Sequence, residues 1–447
     1  MRDPPSVPTR PTGPPRSARL LRILGLGFGV AVVIGGTIGV GILRTPGGVV
    51  ARVGSEPVAI GLWVLGGMYS LLGAVALAEL GTMMPEAGGY LVYARRAFGP
   101  AVGFAVGWAD LLVQCSALAY LSIAVGDFAG AIVPALTPSK AVALCTLLLF
   151  ALLHWAGLRL SSRAQQAMSA LKTVGFIGLA VACLVAGARG PRVPASVPPV
   201  VAAHPVLSLV AIVLGFQLVI GTYGGWAGAV YFTEEDTDPS RHLPRSLIGG
   251  VAMLTAIYVL VNLSLFAVLP AGQLSQSRLP AADAAAVVFG ARASEVITLL
   301  SIVSLLGIIN PILLIATRIV FALGRDRDRT GRVAAVSVRG TPETALFIVT
   351  AIAVALVATG TFEKLFATTA FLITVVYATA MIALLTLRRR EPDTPRPFRA
   401  WGYPWSVWLV LAGSVGFLAG VVAGDVANSA AAVVLLAVSW PLWRLVR

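Results

Sequence analysis

Two clusters of glycine in an otherwise apolar chain are where this sequence can do chemistry, and the chemistry is that of bare peptide groups. The first reads GGTIGVGILRTPG over 35–47 and the second IGTYGGWAGAVYFTEE over 220–235. A continuous helix has no use for Gly35, Gly36, Gly39 and Gly41, or for Gly221, Gly224, Gly225 and Gly228, at that density. Each Gly weakens a helix by about 1 kcal/mol relative to Ala, and peptide groups freed inside lipid must find partners elsewhere. Where a helix comes apart, the second half offers N–H donors and the first half offers carbonyls. Such a pair of groups can hold the carboxylate and the ammonium of one small solute. Burying either charge alone would cost several kcal/mol.

On this reading Gly39, Val40 and Gly41 are the carboxylate cradle. Thr37 and Ile38, with Ile220, Thr222, Tyr223 and Gly224, are candidates for the ammonium side of the site. The stretches bounded by the glycines themselves, 35–41 and 221–228, contain no charged residue, since Arg44 lies beyond the first and Glu234 beyond the second. The ligand that fits carries its own balancing charges, as a zwitterion does. Trp226 follows the second break, where its indole either caps the pocket as an aromatic gate or packs. Ala227, Gly228 and Ala229 offer space without polarity, which points to a neutral, apolar ligand side chain. The glycines also have a second reading, close helix packing of the small-xxx-small kind.

Long apolar elements must position these clusters. The chain has 447 residues, is 57% hydrophobic and only 12% charged, with mean hydropathy +0.89. Soluble domains carry roughly 25% charge, so an all-α membrane protein is expected. Apolar runs long enough to span a bilayer, about 20 residues each, number about twelve. They lie near 23–50, 57–83, 100–133, 140–159, 165–187, 206–232, 246–270, 293–323, 344–360, 364–387, 404–422 and 428–446. The broken runs are the first and the sixth, the same place in two consecutive blocks of five. Because five is odd, the second block enters the membrane from the opposite side. An inverted repeat follows, 23–187 and 206–387 within a transporter domain 21–447, with the last two helices (404–446) outside it. Broken helices at matching positions of two such halves point to a transporter's binding site.

Charge placement gives the orientation. Of the 33 Lys and Arg residues behind the net charge of +14, 23 fall on the side of the N-terminus and only eight on the other. That asymmetry predicts both termini in the cytoplasm and makes the basic charge a topology signal rather than a nucleic-acid surface. Residues 1–20, rich in Pro and Arg, read as a disordered cytoplasmic tail, with no cleavage site of a removable signal peptide. Cys115, Cys145 and Cys183 all lie in apolar runs, so no disulfide-linked partner chain is expected. Three His residues without metal-ligand spacing suggest no metal, and nothing suggests a cofactor. An enzyme or an ATP-driven pump would need a soluble domain, and the loops are short.

Ionisable residues inside the runs are functional candidates. Lys172 sits about 10 Å inside the fifth run at 1.5 Å per residue; it either snorkels to the interface or serves the site. Asp110 lies about ten residues into the third, with a cation, polar backbone or the substrate as possible partners. Glu79, near the end of the second run, reads as structural. Glu234, Glu235, Asp236 and Asp238 form either an inner charge network with Arg241 and Arg245 or a solvated loop. Arg388, Arg389 and Arg390 read as an anchor to anionic lipid. Asn310–Pro311 either kinks the eighth run or is tolerated by packing.

Longer motifs add a resemblance. The first cluster is similar to a G-x-x-x-G-x-G-I-F-x-x-P-G pattern. ALAELGTMMPEAGGYLVYARRAFG (76–99), TYGGWAGAVYFTEEDTDPSRHLPRSL (222–247), ATRIVFALGRDRD (316–328), RGTPETAL (339–346) and RPFRAWGYPW (396–405) follow in order. From about residue 25 to about 410 the chain resembles the amino acid–polyamine–organocation superfamily, specifically its bacterial amino acid permeases and L-type relatives. The resemblance implies a LeuT-like five-plus-five fold, unwound in helices 1 and 6, moving amino acids across the bacterial inner membrane by symport or exchange. It also implies that Lys172 takes the place of sodium, bridging the first and eighth helices near Ser301, Ser304 or Asn310. Leu43 stands where the family has Phe, Val40 where Ser or Ala is common, and Ala227 and Gly228 where L-type relatives often carry Asp and Asn. A polyamine carrier would want carboxylates in the pocket, and only Asp110 is a candidate. A non-transporting amino acid sensor on the same fold would usually carry a further signalling domain.

Overall fold

Inside a bilayer each backbone polar group needs an internal partner, which leaves helix as the local solution for an apolar run. The computed structural model describes residues 20–137, 139–190, 208–327, 331–360 and 362–446. The tail expected over 1–20 lies outside these residues except for Leu20, which is buried.

In chain order the helices are α1 (Leu26–Thr37), α2 (Gly41–Val53), α3 (Glu56–Met83), α4 (Tyr90–Phe98), α5 (Pro100–Ile132), α6 (Ser139–Trp155) and α7 (Leu158–Ala188). Then come α8 (Leu209–Tyr223), α9 (Pro239–Val268), α10 (Ala271–Gln276), α11 (Pro280–Phe289), α12 (Ala293–Arg327) and α13 (Glu343–Thr359). The last four are α14 (Phe362–Arg390), α15 (Trp405–Gly424), α16 (Val426–Ala437) and α17 (Ser439–Val446). Among the described residues nine helical segments are long and apolar enough to cross a membrane, and the bent pair α1–α2 makes a tenth. Two further apolar helices, α6 and α13, have 17 residues each and lie at the fourth and ninth expected runs. Leu148, Leu149, Val174 and Phe347 point outward from their helices, as lipid-facing side chains do.

The structure departs from the sequence expectation at helix ends. α7 begins seven residues before the expected run, at Leu158, and α9 begins at Pro239 rather than 246. Arg159, Arg163, Arg241 and Arg245 marked those segments as loop, but a helix extends into water without needing apolar side chains. α4, α10 and α11 also occupy stretches that hydropathy left as connections. α4 buries Tyr90, Leu91, Val92, Tyr93, Ala94 and Ala97 while Arg95 and Arg96 close its last turn. α10 and α11 pack on α2; a Cβ on Gly47 would lie 2.7 Å from the Leu274 carbonyl. The two interrupted spans sit at the centre. α1 packs on α7, α9 and α12, and α2 packs on α8.

Candidate functional site

The first break is a true bend. α1 ends at Thr37, Ile38 turns extended (φ −68°, ψ 109°), and α2 restarts at Gly41 with its axis turned by 51°. The Ile38 amide still closes α1 by donating to the Ile34 carbonyl at 3.0 Å. Beyond it lie Gly39, Val40 and Gly41, at the N-terminus of α2, where a helix leaves amides without intrahelical acceptors. Lys172 of α7 fills the other side. Its Nζ donates to the carbonyls of Gly35 at 2.5 Å and Ile38 at 2.8 Å, with the Ser304 carbonyl of α12 at 3.5 Å. The side chain is fully buried, so it does not snorkel.

The second interruption is a change of helix type within a single span. α8 ends at Tyr223, Gly224 is extended in ψ (141°), and Gly225 has φ +111°, a conformation that a side chain would strain. A seven-residue 3₁₀ segment, Trp226–Phe232, follows. The two breaks touch through glycine: a Cβ on Gly225 would strike the Gly36 carbonyl, and one on Gly36 would come within 3.2 Å of the Gly225 carbonyl. The breaking and the packing readings of these glycines therefore hold together. Tyr258 of α9 spans the junction, its hydroxyl 3.2 Å from the Thr37 carbonyl and 3.1 Å from that of Thr222. One hydroxyl proton serves one of these carbonyls at a time.

Within this junction the expected residues fall into two sets. Val40 and Ile220 are half-buried, and Gly41, Gly221 and Gly224 are exposed, so backbone from both spans stays accessible. Thr37, Ile38, Gly39, Thr222 and Tyr223 are buried. The Thr37 hydroxyl donates to the Val33 carbonyl (2.7 Å), that of Thr222 lies 2.9 Å from Thr45 Oγ1, and that of Tyr223 donates to the Trp63 carbonyl (2.9 Å). Gly39 lies against Ile308, too close for a Cβ without movement. Trp226 stacks on Tyr377 (centroids 6.3 Å apart, planes at 13°) and closes on Gly73. Ala227, Gly228 and Ala229 do not supply the open space expected of them. All three are buried, and Gly228 abuts Val32 and Ile315.

Asp110 is not at the glycines. Its buried carboxylate accepts from Tyr231 Oη at 2.6 Å and Gln114 Nε2 at 2.9 Å, which ties α5 to the 3₁₀ segment. Gln165, Ser169 and His154, beside the site, carried no expectation from the sequence. Gln165, Ser169 and Lys172, spaced four and three apart, share one face of α7. Gln165 Nε2 and Ser169 Oγ both donate to the Ala31 carbonyl, at 3.0 and 2.7 Å. Asn310 Nδ2 donates to Gln165 Oε1 (2.8 Å), and His154 Nε2 reaches Asn310 Oδ1 (2.8 Å). That polar stripe was legible as a spacing. Asn310 thus braces Gln165 rather than Lys172, Ser304 lends a carbonyl, and Ser301 donates within its own helix to Ile297. α12 continues through Pro311.

On the basic face a charge network does form, with other partners than expected. Glu235 receives a bidentate, buried pair from Arg318 (2.7 and 2.9 Å), and Glu234 pairs with Arg325 at 2.7 Å. Asp236 takes His242 at 2.6 Å, and Arg241 reaches only Asp238, at 3.7 Å. Arg318 was the signal: a guanidinium inside an apolar run requires an acid. Leu24 adds a single β-bridge to Asp236, with Arg22 Nε on the Asp236 carbonyl. Glu79, read from the sequence as structural, is clamped by Arg388 (2.6 and 2.7 Å) and Arg396 (3.1 Å) and by the Ala400 amide.

A polytopic helical chain with two interrupted spans meeting at their breaks, backbone accessible at the junction, is a transporter of the broken-helix class. The particular family is shown by comparison: the chain belongs to the amino acid permeases, whose family profile matches residues 29–443. It is 29% identical over 396 residues to the human b(0,+)-type amino acid transporter 1, covering 86% of this chain and 80% of the relative. To the serine/threonine exchanger SteT of Bacillus subtilis it is 27% identical over 406 residues, 88% and 90% of the two chains. To the mouse Asc-type amino acid transporter 1 it is 28% identical over 400 residues, 85% and 73% of the two. The protein is a multi-pass membrane transporter of amino acids, not an enzyme.

Proposed function

We propose that this permease carries a zwitterionic amino acid with a neutral, apolar side chain by sodium-independent alternating access, as an exchanger or proton symporter. The observation that carries the reading is the accessible backbone of both breaks at one junction, Val40 and Gly41 on one side and Gly221 and Gly224 on the other. The α2 amides suit a carboxylate. The Thr37 and Thr222 carbonyls each keep a second lone pair for an ammonium beside the donor they already meet. Hydrogen bonds to charged groups contribute about 1.5–3 kcal/mol each. Sodium independence rests on Lys172, whose ammonium already lies on the carbonyls that would otherwise be free for a cation. Exchange gains support from the relative named as a serine/threonine exchanger. The proposed frame is a five-plus-five inverted repeat, 23–187 and 206–387, with 404–446 outside it. Both termini lie in the cytoplasm, and the membrane is the bacterial inner membrane. No disulfide-linked partner chain is needed on this reading.

A polyamine carrier is disfavoured because Asp110, its only candidate carboxylate, is already held by Tyr231 and Gln114. Thermal stabilisation of the purified protein across the twenty amino acids and common polyamines tests the ligand class. A ligand at 100 times its dissociation constant adds about 2.7 kcal/mol. Leu-, Ala- or Phe-like ligands should stabilise most; a preference for Lys, Glu or spermidine would overturn the reading. Counterflow in proteoliposomes, with and without sodium, then separates a transporter from a sensor and tests the coupling.

A further inference from the structure

We propose that the groove between α14 and α15 on the arginine-rich face binds the phosphate headgroup of an anionic phospholipid. The groove has a volume of about 340 Å³ and is lined by Ile382, Leu385, Thr386, Arg389, Arg390 and Trp408. Ile382, Thr386 and Arg389 recur four and three residues apart, so one stripe of α14 runs from apolar floor through hydroxyl to guanidinium. That order matches a lipid standing in a leaflet, acyl chain below and phosphate above.

The height of the groove is fixed by its neighbours. α14 ends its apolar span at Arg390 and α15 begins one at Trp405. Trp401, Trp405 and Trp408 are all exposed there, the aromatic signature of a membrane–water interface. Charge supplies the specificity. The acids of this region are already committed: Glu79 to Arg388 and Arg396, and Glu391 to Arg96 at 2.8 Å. Asp393, in the loop that follows, does not line the groove. Arg388, expected among the lipid anchors, is withdrawn by Glu79 and lies over the Tyr403 ring at 4.4 Å. Arg389 and Arg390 are exposed. Arg390 gives Nη1 to the Ala97 carbonyl at 3.1 Å and keeps its other donors. Two guanidinium groups over an apolar floor suit a phosphodiester, which accepts paired N–H donors.

The test uses the full chain in mild detergent, mixed with equal amounts of phosphatidylglycerol and phosphatidylcholine of the same acyl chains, with bound lipid counted by native mass spectrometry. Phosphatidylglycerol should be retained preferentially. Arg389→Gln should cut that preference about fivefold, the factor for one basic residue at an anionic surface. Ile382→Trp, which fills the floor without changing charge, should lower retention of the lipid. Arg163→Gln removes one exposed arginine from α7 on the same face and should leave the preference intact. The proposal is overturned by equal retention of the two lipids, by an equal fall in Arg163→Gln, by no change in both groove variants, or by displacement of the lipid with millimolar inorganic phosphate.

Discussion

The two interruptions solve the same backbone problem with opposite means. At the first, a charged side chain from outside the span completes the broken hydrogen bonding: Lys172 caps Gly35 and Ile38, and the axis swings by 51°. At the second, no cation enters among the described residues. The chain passes through Gly224 and Gly225 and continues as 3₁₀ helix within the same span. A break held by a buried ammonium is a fixed feature, since removing the cation leaves carbonyls stranded. A break held by two glycines and a looser helix type is one that can change. The 3₁₀ segment also carries the side chains that reach outward to other helices, Trp226 to Tyr377 and Tyr231 to Asp110. On the proposed reading the first break is the fixed wall of the site and the second the wall that moves.

The strongest way to break this contrast is Lys172→Met, which keeps the volume and deletes the charge. Two charge-assisted bonds at about 1.5–3 kcal/mol each are lost, so counterflow should fall at least about a hundredfold. Sodium added to the variant should restore part of the rate if a cation is what the carbonyls need. Near-normal transport by Lys172→Met without sodium would make the first break self-sufficient and erase the distinction.

A smaller effect sharpens the contrast between the glycines. Gly225→Ala meets both a positive φ and the Gly36 carbonyl, backbone that cannot turn away; a loss of about 2–3 kcal/mol in stability is expected. Gly39→Ala closes on the Ile308 Cδ1, a flexible tip, with the Thr37 carbonyl at an ordinary 3.9 Å, and should cost about 1 kcal/mol. Thermal unfolding of the two variants side by side checks the order. The reverse order would mean that the second junction yields more readily than its contacts allow.

How far the sequence carried the site can be seen in Lys172 and Tyr258. The depth of Lys172 was readable from residue counting, because a charge that far into an apolar run must be served by something. Which carbonyls serve it was not, since they belong to a segment 134–137 residues away. The all-helical fold and both breaks were legible because glycine density and apolar length are local properties. Tyr258 left no such trace, as a single tyrosine in LTAIYVLVNLS is indistinguishable from packing. Ala227–Ala229 misled for the complementary reason. Small side chains signal room in a sequence, yet close approach of Val32 and Ile315 uses it up. Tyr258→Phe removes the hydroxyl shared by both breaks. It should slow counterflow about tenfold and lower stability by about 1 kcal/mol, less than Lys172→Met or Gly225→Ala because one neutral hydrogen bond is removed.

The smallest expected effect comes from a pair far from both breaks and calibrates the rest. Arg96 donates to both oxygens of Glu391 at 2.8–3.1 Å, and these bonds hold the Glu391 carboxyl below the usual carboxylate range. A lowered value in the folded state means that the pair stabilises above the unfolded value, about pH 4.3. The contribution is lost as pH falls through the folded value. Because both side chains remain partly in water, it is worth no more than about 1 kcal/mol. Glu391→Gln should therefore lower the unfolding midpoint slightly at neutral pH, leave counterflow unchanged, and converge with the wild type as pH falls through the folded-state value. A large transport defect in this variant would spread the control of the cycle to the basic face, and the two breaks would no longer be a sufficient account of it.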